Sequence, residues 1–357
     1  MRDMPMSALS PGHGPLADVF VTGIGSATKN GAPSIPFPTV SQITWRQRWD
    51  HWQARWGYRR GDHRVTPGLY ALGDPDRNSP VLVTANYSLS FDAVRAALSG
   101  HSCYLLVLDT KGVNVWCAAG KGTFGTDELV ERIFSKGLHQ IVDHRDLILP
   151  QLGATGVSAQ LVRRRSGFRV IFGPVCAADI PAFLPERKAT PAMRRVTFTL
   201  AERLVLIPVE IVNTMLPMIL AALVLWLLAG PVAALGVVAA VLTGTALFPL
   251  LLPWLPFHDF SANGYLLGSL VALASAWGTW RSGVPGDWGL HLRVAGLLLG
   301  LPPVTAYLAM NFTGSTPITS PSWVRREMRR YIPIMAVSVA LGAIAIVIAA
   351  IRAWIGG

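Results

Sequence analysis

Four stretches of this chain, residues 211–257, 260–280, 294–324 and 331–351, contain no Asp, Glu, Lys or Arg. A helix crosses the hydrocarbon core of a bilayer with roughly 20 apolar residues, so each stretch is long enough and the first suffices for two crossings. Gly230-Pro231 interrupts that first stretch, where proline ends a helix and favours a tight reversal. The pattern predicts five spans, near 206–229, 232–256, 262–280, 290–311 and 331–354. Composition agrees, because 51% hydrophobic and 14% charged residues in a 357-residue chain is too apolar for a single soluble domain.

Basic residues near the span ends set an orientation. Arg194, Arg195 and Arg203 precede the first span, and Arg325, Arg326, Arg329 and Arg330 lie between the fourth and fifth. With five crossings, these place the N-terminal half in the cytoplasm and the chain as a multi-pass protein of the cytoplasmic membrane. Arg281 and Arg293 fall on the outer side and run against this, with Asp287 between them. Residues 1–20 lack the continuous apolar core of a signal peptide, in keeping with a cytoplasmic N-terminal half. Glu210 and Asn213, with Pro208 and Pro217 nearby, read as a distorted, partly hydrated helix end.

Before the spans, residues 1–44 are rich in Pro, Gly and Ser and read as a disordered leader. Residues 45–195 read as one soluble domain. "VLVTA" (81–85), "YLLVLD" (104–109), "LILP" (147–150) and "FRVIFG" (168–173) have the continuous apolar character of buried strands. "SFDAVRAAL" (90–98), "TDELVERIF" (126–134) and "VSAQLVRR" (157–164) have helical periodicity. The alternation predicts a small α/β domain with a largely parallel sheet. Ligands of such sheets sit at the carboxyl ends of the strands.

"WRQRWDHWQARWGYRR" (45–60) spaces Trp45, Trp49, Trp52 and Trp56 on one helical stripe among five arginines. An interfacial helix on anionic lipid and a packed domain face both account for it. The net charge of +11 lies mainly in residues 1–195, and nucleic-acid binding is the weaker reading of it.

"GVNVWCAAGKGTF" (112–124) occupies one of the strand-to-helix loops. A phosphate loop is excluded, since its spacing demands Gly where Val115 stands and Ser or Thr where Gly122 stands. Cys117 as a nucleophile requires a base; His101, His139 and His144 are near in sequence but none is marked by spacing. With Cys103, Cys117 and Cys176 alone and no C-x-x-C pair, the chain cannot supply the four thiolates of a common iron–sulphur cluster. Cys103, opening an apolar strand, and Cys176 read as core residues. Cys117 stands apart, beside a helix start that favours a thiolate and small residues that admit a large ligand.

"NVWCAAGK" (114–121) resembles the cap-helix signature of the membrane-bound corrinoid proteins of microbial mercury methylation, the HgcA family. Their corrinoid domain is similar to that of the large subunit of the corrinoid iron–sulphur protein. "PVLVTANYSLSFDAVR" (80–95), "QLGATGVSAQLVRRRSGFRVIFGPV" (151–175) and "NFTGSTPITSPSWVRREMR" (311–329) carry the same resemblance. It implies a Rossmann-like or flavodoxin-like α/β corrinoid-binding domain over 45–195, followed over 196–357 by an all-α transmembrane domain of five helices. Cys117 is implied as the axial ligand of the corrinoid cobalt, and Asn114, Val115, Trp116, Ala118, Ala119, Gly120 and Lys121 as the cap around it. The implied activity is a corrinoid-dependent methyltransferase, which takes a methyl group from a methyltetrahydrofolate-pathway donor and transfers it to mercuric ion, giving methylmercury. A ferredoxin-like partner with two 4Fe–4S clusters is implied as electron donor. The residues alone leave open a methyl carrier for another acceptor in one-carbon or acetyl-CoA metabolism, and a transporter or anchor with a regulatory α/β domain.

Overall fold

The computed structural model describes residues 34–59, 61–284, 286–316 and 320–355. Most of the 1–44 leader lies outside the described residues, as do 317–319 of the polar 311–322 loop. The chain forms two compact units, one joining the segment up to Arg48 to Gly61–Arg195, the other joining Trp49–Arg60 to Val196–Gly357. The single domain expected over 45–195 is thus corrected at its start: Trp49–Arg60 groups with the helical unit.

The first unit contains β1 (Phe37–Thr39), the start of α1 (Trp45–Arg55), β2 (Gly68–Leu72), β3 (Val81–Ala85), α2 (Ser88–Ala97) and β4 (Cys103–Leu108). It continues with α3 (Val115–Lys121), α4 (Thr126–Ser135), α5 (Leu138–Ile141), β5 (Asp146–Leu149), α6 (Ala159–Ser166), β6 (Arg169–Phe172) and α7 (Ile180–Phe183). Six strands form one sheet in the order β1-β2-β4-β3-β5-β6. The four from β4 to β6 are parallel, β2 is antiparallel to β4, and β1 is parallel to β2. The sheet is therefore mixed, with its parallel part in the four strands expected from sequence.

Every residue of β3 and β4 is buried, as a sheet covered on both faces requires. Successive side chains alternate between faces. Val81, Val83 and Ala85 pack with Leu129, Ile133 and Val162, whereas Leu82 packs with Phe91, Leu98, Ile180 and Phe183. The connection from β3 to β4 therefore runs over one face and that from β4 to β5 over the other. Strand order reverses at β3, which makes the crevice beyond the carboxyl ends of β3 and β5 the natural place for a ligand.

Residues 34–44, read from sequence as part of a structureless leader, carry β1. Proline is confined to sheet edges because it lacks a ladder N–H, and Pro38 sits in an edge strand. The segment after β1 is held by Arg95, whose Nη1 donates to the carbonyls of Val40 and of Gln42, the latter at 2.9 Å. Arg95 also donates to Asp92 at 2.6 Å, with the two side chains 2% and 5% exposed. Arg95→Ala leaves the Asp92 carboxylate without this partner, a loss of about 3–5 kcal/mol for a buried pair. The expected result is earlier reaction of the buried Cys103 thiol with a maleimide on heating.

At the amino end of the parallel sheet, Asp146 accepts from Arg169 at 2.8 and 2.9 Å and from Arg187 at 2.8 Å. The Arg169 hydrogen bond is the largest effect and holds its carboxyl below the ordinary value against burial, which comes next and opposes it, with smaller help from the charges of Arg169 and Arg187. A carboxyl depressed by folding stabilises the native state above its unfolded pKa and stops doing so as pH falls through its folded one. Asp146→Asn should therefore lower the unfolding temperature at neutral pH. The gap to wild type should close on acidification below about pH 4, where the unfolded carboxyl begins to hold its proton.

The second unit contains α8 (Leu200–Leu204), α9 (Ile207–Ala229), α10 (Pro231–Leu242), α11 (Phe248–Leu251), α12 (Phe260–Ser282), α13 (Trp288–Asn311) and α14 (Pro321–Ile355). Among the described residues, four helical stretches are long and apolar enough to cross a membrane: Leu200–Ala229, Pro231–Trp254, Trp288–Gly314 and Ser322–Ile355. The expectation of five is corrected to four on this criterion. α12 has the length, but Ser261, Asn263, Gly264, Gly268, Ser275 and Thr279 dilute its apolar content. These small residues serve helix packing: a Cβ at Gly264 would lie 2.5 Å from Ala306 Cα, and one at Gly268 2.8 Å from Pro302 Cα.

Candidate functional site

The loops leaving β3, β4 and β5 converge at the reversal of strand order, and a buried asparagine organises them. Asn86, 2% exposed, follows the last residue of β3. Its Oδ1 accepts from the Thr110 N–H at 3.0 Å, the Thr110 hydroxyl at 2.9 Å and the Gly112 N–H at 3.0 Å. Its Nδ2 donates to Asp109 Oδ1 at 3.1 Å. The Thr110 hydroxyl shares its one proton between Asn86 Oδ1 and the Val113 carbonyl, the nearer acceptor at 2.6 Å. The segment 109–113 is thereby fixed in a compact turn, which delivers the chain to α3.

α3 is a short helix capped at both ends. Asn114 is its N-cap, in extended conformation, with its side chain accepting from the Cys117 N–H at 2.9 Å. Gly122 ends it at φ 81°, a left-handed conformation that glycine takes at little cost. The helix is amphipathic by size. Val115, Ala118 and Ala119 face the domain core, Trp116 is half-buried, and Cys117, Gly120 and Lys121 are exposed. Two of the expected cap residues, Ala118 and Ala119, thus pack inward, while Cys117 stands on the outer face. A Cβ at Gly120 would meet nothing within 4 Å, so the space beside Cys117 one turn on is open.

The loop after β5 closes on α3 from below. A Cβ at Gly156 would lie 2.2 Å from the Phe124 carbonyl oxygen and 3.0 Å from Ala119 Cα, and one at Gly153 would lie 2.5 Å from the Phe124 ring. Only glycine permits these approaches. A cleft of about 270 Å³ lies at the carboxyl ends of the strands, lined among others by Thr84, Ser90, Asn114, Val115, Trp116 and Pro150. Between the lining residues Pro150 and Leu152, Gln151 has a buried Oε1 with no hydrogen-bond partner. Asn86 and Gln151 were missed as site residues from sequence; both sit one or two positions beyond the end of a parallel strand, and that position is the signal that could have found them.

The three cysteines separate by environment. Cys103 is buried, and burial pushes its thiol up to about 12. Cys117 is exposed, and so is Cys176, which corrects its reading as a core residue. The histidines considered as bases for Cys117 lie elsewhere. His101 precedes β4 with Nδ1 3.2 Å from the Ser99 carbonyl oxygen. His144 precedes β5, its Nε2 2.9 Å from the Ser79 carbonyl oxygen, and His139 is beside Gln140. Those before β4 and β5 mark the opposite end of the sheet from α3. Among the described residues no three His, Cys, Asp or Glu side chains group as metal ligands.

Comparison with known proteins covers most of the α/β unit and stops before the candidate membrane spans. Residues 58–184 match the family described as CO dehydrogenase/acetyl-CoA synthase delta subunit. The chain is 36% identical over 127 residues to the acetyl-CoA decarbonylase/synthase complex subunit gamma of Methanopyrus kandleri, which covers 35% of this chain and 27% of that one. It is 34% identical over 126 residues to subunit gamma 2 of Methanosarcina thermophila, covering 33% of this chain and 26% of the relative. For subunit gamma of Methanocaldococcus jannaschii the figures are 33% over 127 residues, 35% and 26%. The chain thus spans about a quarter of the length of these relatives.

Two measurements check the site's construction. A maleimide should label Cys117 and Cys176 in the native protein and reach Cys103 only on unfolding. Asn86→Leu removes the acceptor of the Gly112 N–H, at about 1–3 kcal/mol for a buried group left unpaired, while the Thr110 N–H keeps the Leu108 carbonyl at 3.1 Å. Amide exchange at Gly112 should accelerate by about tenfold and by more than at Thr110, since 1.4 kcal/mol is a factor of ten in an equilibrium constant.

Proposed function

We propose that this chain is a membrane-attached corrinoid protein that carries a methyl group in one-carbon metabolism, with Cys117 as the protein's ligand to cobalt. One observation carries the reading: an exposed thiol on the outer face of a capped helix, beside the open space at Gly120, at the reversal of strand order. The similarity of residues 58–184 to acetyl-CoA decarbonylase/synthase subunits supports it.

The residues fit such a group as an open platform. Pockets that enclose drug-sized ligands run to about 300–1,000 Å³, and the cleft of about 270 Å³ is too small to enclose a corrin macrocycle. The outer face of α3 has no such limit, because Gly120 leaves it flat beside the sulphur. When bound, a corrinoid supplies a cobalt centre able to accept and release a methyl group. Asn114 fixes the backbone of Cys117 through its N–H, so the sulphur is presented from a rigid turn. Trp116, half-buried beside Cys117, offers an apolar edge.

The acceptor of the methyl group has a second reading, mercuric ion. It is favoured by the resemblance of Asn114–Lys121 to the mercury-methylation cap and by a helical unit that lies outside the family match. A soft thiolate donor suits delivery to a soft electrophile. A methyltetrahydrofolate-pathway donor and a ferredoxin-like electron donor belong to this reading. Five crossings, with α12 as one of them, would put the α/β unit on the cytoplasmic side together with Arg325, Arg326, Arg329 and Arg330, which line an open groove at the start of α14. Arg203 is instead buried and donates to the Leu250 carbonyl at 2.7 Å, tying the start of one candidate span to the end of the next.

Wild-type protein produced with cobalamin should purify with corrinoid absorption, and Cys117→Ala should shift that spectrum while keeping the fold. A colourless wild type overturns the proposal. Anaerobic cells carrying the chain with a ferredoxin-like partner then separate the acceptors: methylmercury formation lost in Cys117→Ala supports mercuric ion. A corrinoid-loaded protein that forms none supports another acceptor.

A further inference from the structure

The helix α1 is inside out for a helix on a water-exposed protein surface. Its buried side carries Ala54, 4% exposed, flanked by half-buried Gln47, Asp50, His51 and Gln53. At 3.6 residues per turn, Trp45, Trp49, Trp52 and Trp56 fall within about 60° of arc directly opposite Ala54. Trp56 belongs to the same turn, since its N–H donates to the Trp52 carbonyl at 3.0 Å. The four rings are 77%, 56%, 62% and 46% exposed. Tryptophan is buried on average, so four of them aimed away from the protein form an apolar patch that needs cover.

Three features say what the cover is. Exposed arginines border the stripe, Arg46 on one edge and Arg48 and Arg55 on the other, while the helix's single acid, Asp50, is on the inner side. A tryptophan stripe edged by arginines matches the boundary of an anionic bilayer, where indoles lie at headgroup depth and guanidinium groups meet phosphate. Finally, the helix leads to Gly57, where a Cβ would lie 3.1 Å from Val209 Cγ2. Val209 opens the apolar part of the first candidate span, so this end of the chain segment lies at a span entrance.

We propose that α1 lies in the plane of the membrane surface, with Trp45, Trp49, Trp52 and Trp56 in the interfacial layer and Arg46, Arg48 and Arg55 on anionic phospholipid headgroups. Of the two accounts of the stripe, this one requires the rings to face outward. A packed domain face requires the opposite.

The test uses full-length protein with Cys117 and Cys176 replaced by Ser. A nitroxide is placed at Trp52→Cys or Trp49→Cys, and for comparison at the exposed Glu186→Cys of the α/β unit. In phosphatidylcholine vesicles containing phosphatidylglycerol, collision with oxygen relative to an aqueous nickel chelate should be several-fold higher at 49 and 52 than at 186. The ratio should fall without phosphatidylglycerol, and Arg46→Gln, Arg48→Gln and Arg55→Gln together should abolish that dependence. Aqueous accessibility at 49 and 52 equal to that at 186 overturns the proposal. So does protection from both reagents, which would mean a protein partner or a second copy covers the stripe. Insensitivity to phosphatidylglycerol overturns the headgroup assignment.

Discussion

The amide of Asn86 is the constraint on which the candidate site rests. An asparagine both donates and accepts from one planar group, and here it serves a carboxylate, a hydroxyl and two backbone N–H groups from a single loop. The apolar strands determine where β3 and β4 end, but they say nothing about the course of the chain beyond Leu108. Without a buried acceptor at that point, the Gly112 N–H would have to seek water and the Thr110 N–H would keep only the Leu108 carbonyl, at 3.1 Å, so the turn would be free to open. The position of α3, and so of Cys117, follows from one side chain on a neighbouring strand end.

The helical unit solves a different problem. In lipid the gain from burying apolar surface between helices is small, so association depends on close backbone approach. Gly264 and Gly268 supply it between α12 and α13, and Gly296 and Gly342 supply it between α13 and α14, where each approaches backbone of the other helix. The residues that let these helices meet are also those that make α12 less apolar than its neighbours. Hydropathy and packing pull the same positions in opposite directions.

Much of this was legible in the sequence. The four parallel strands were found because a sheet covered on both faces leaves continuous apolar runs, and three crossover helices were found by their periodicity. β2 was missed because "TPGLYALGDP" is bracketed by turn residues, and β1 because a three-residue strand containing Pro38 carries no pattern of its own. The cap helix was visible as a motif, but not the division of its residues between core and surface. That division depends on Gly153 and Gly156, some thirty residues on, which admit Phe124 and Ala119 so closely. Cys176 was misplaced because a lone cysteine after an apolar run has the same local sequence whether the strand ends before it or with it. Side-chain partnerships across the fold, such as Arg95 with the Val40 carbonyl, leave no local trace at all.

α3 is only seven residues long. Helices of that length have little stability of their own and exist through their caps and tertiary contacts. For α3 these are few: the Asn114 amide, the left-handed Gly122, and the seating of Val115, Ala118 and Ala119. A helix so held is a latch rather than a wall. Peeling it back would leave the strand pairing intact but lift Val115, Ala118 and Ala119 out of the core they share with Leu129, Val130 and Ile133 of α4, so the seating of this short helix and the packing of its longer neighbour are one event.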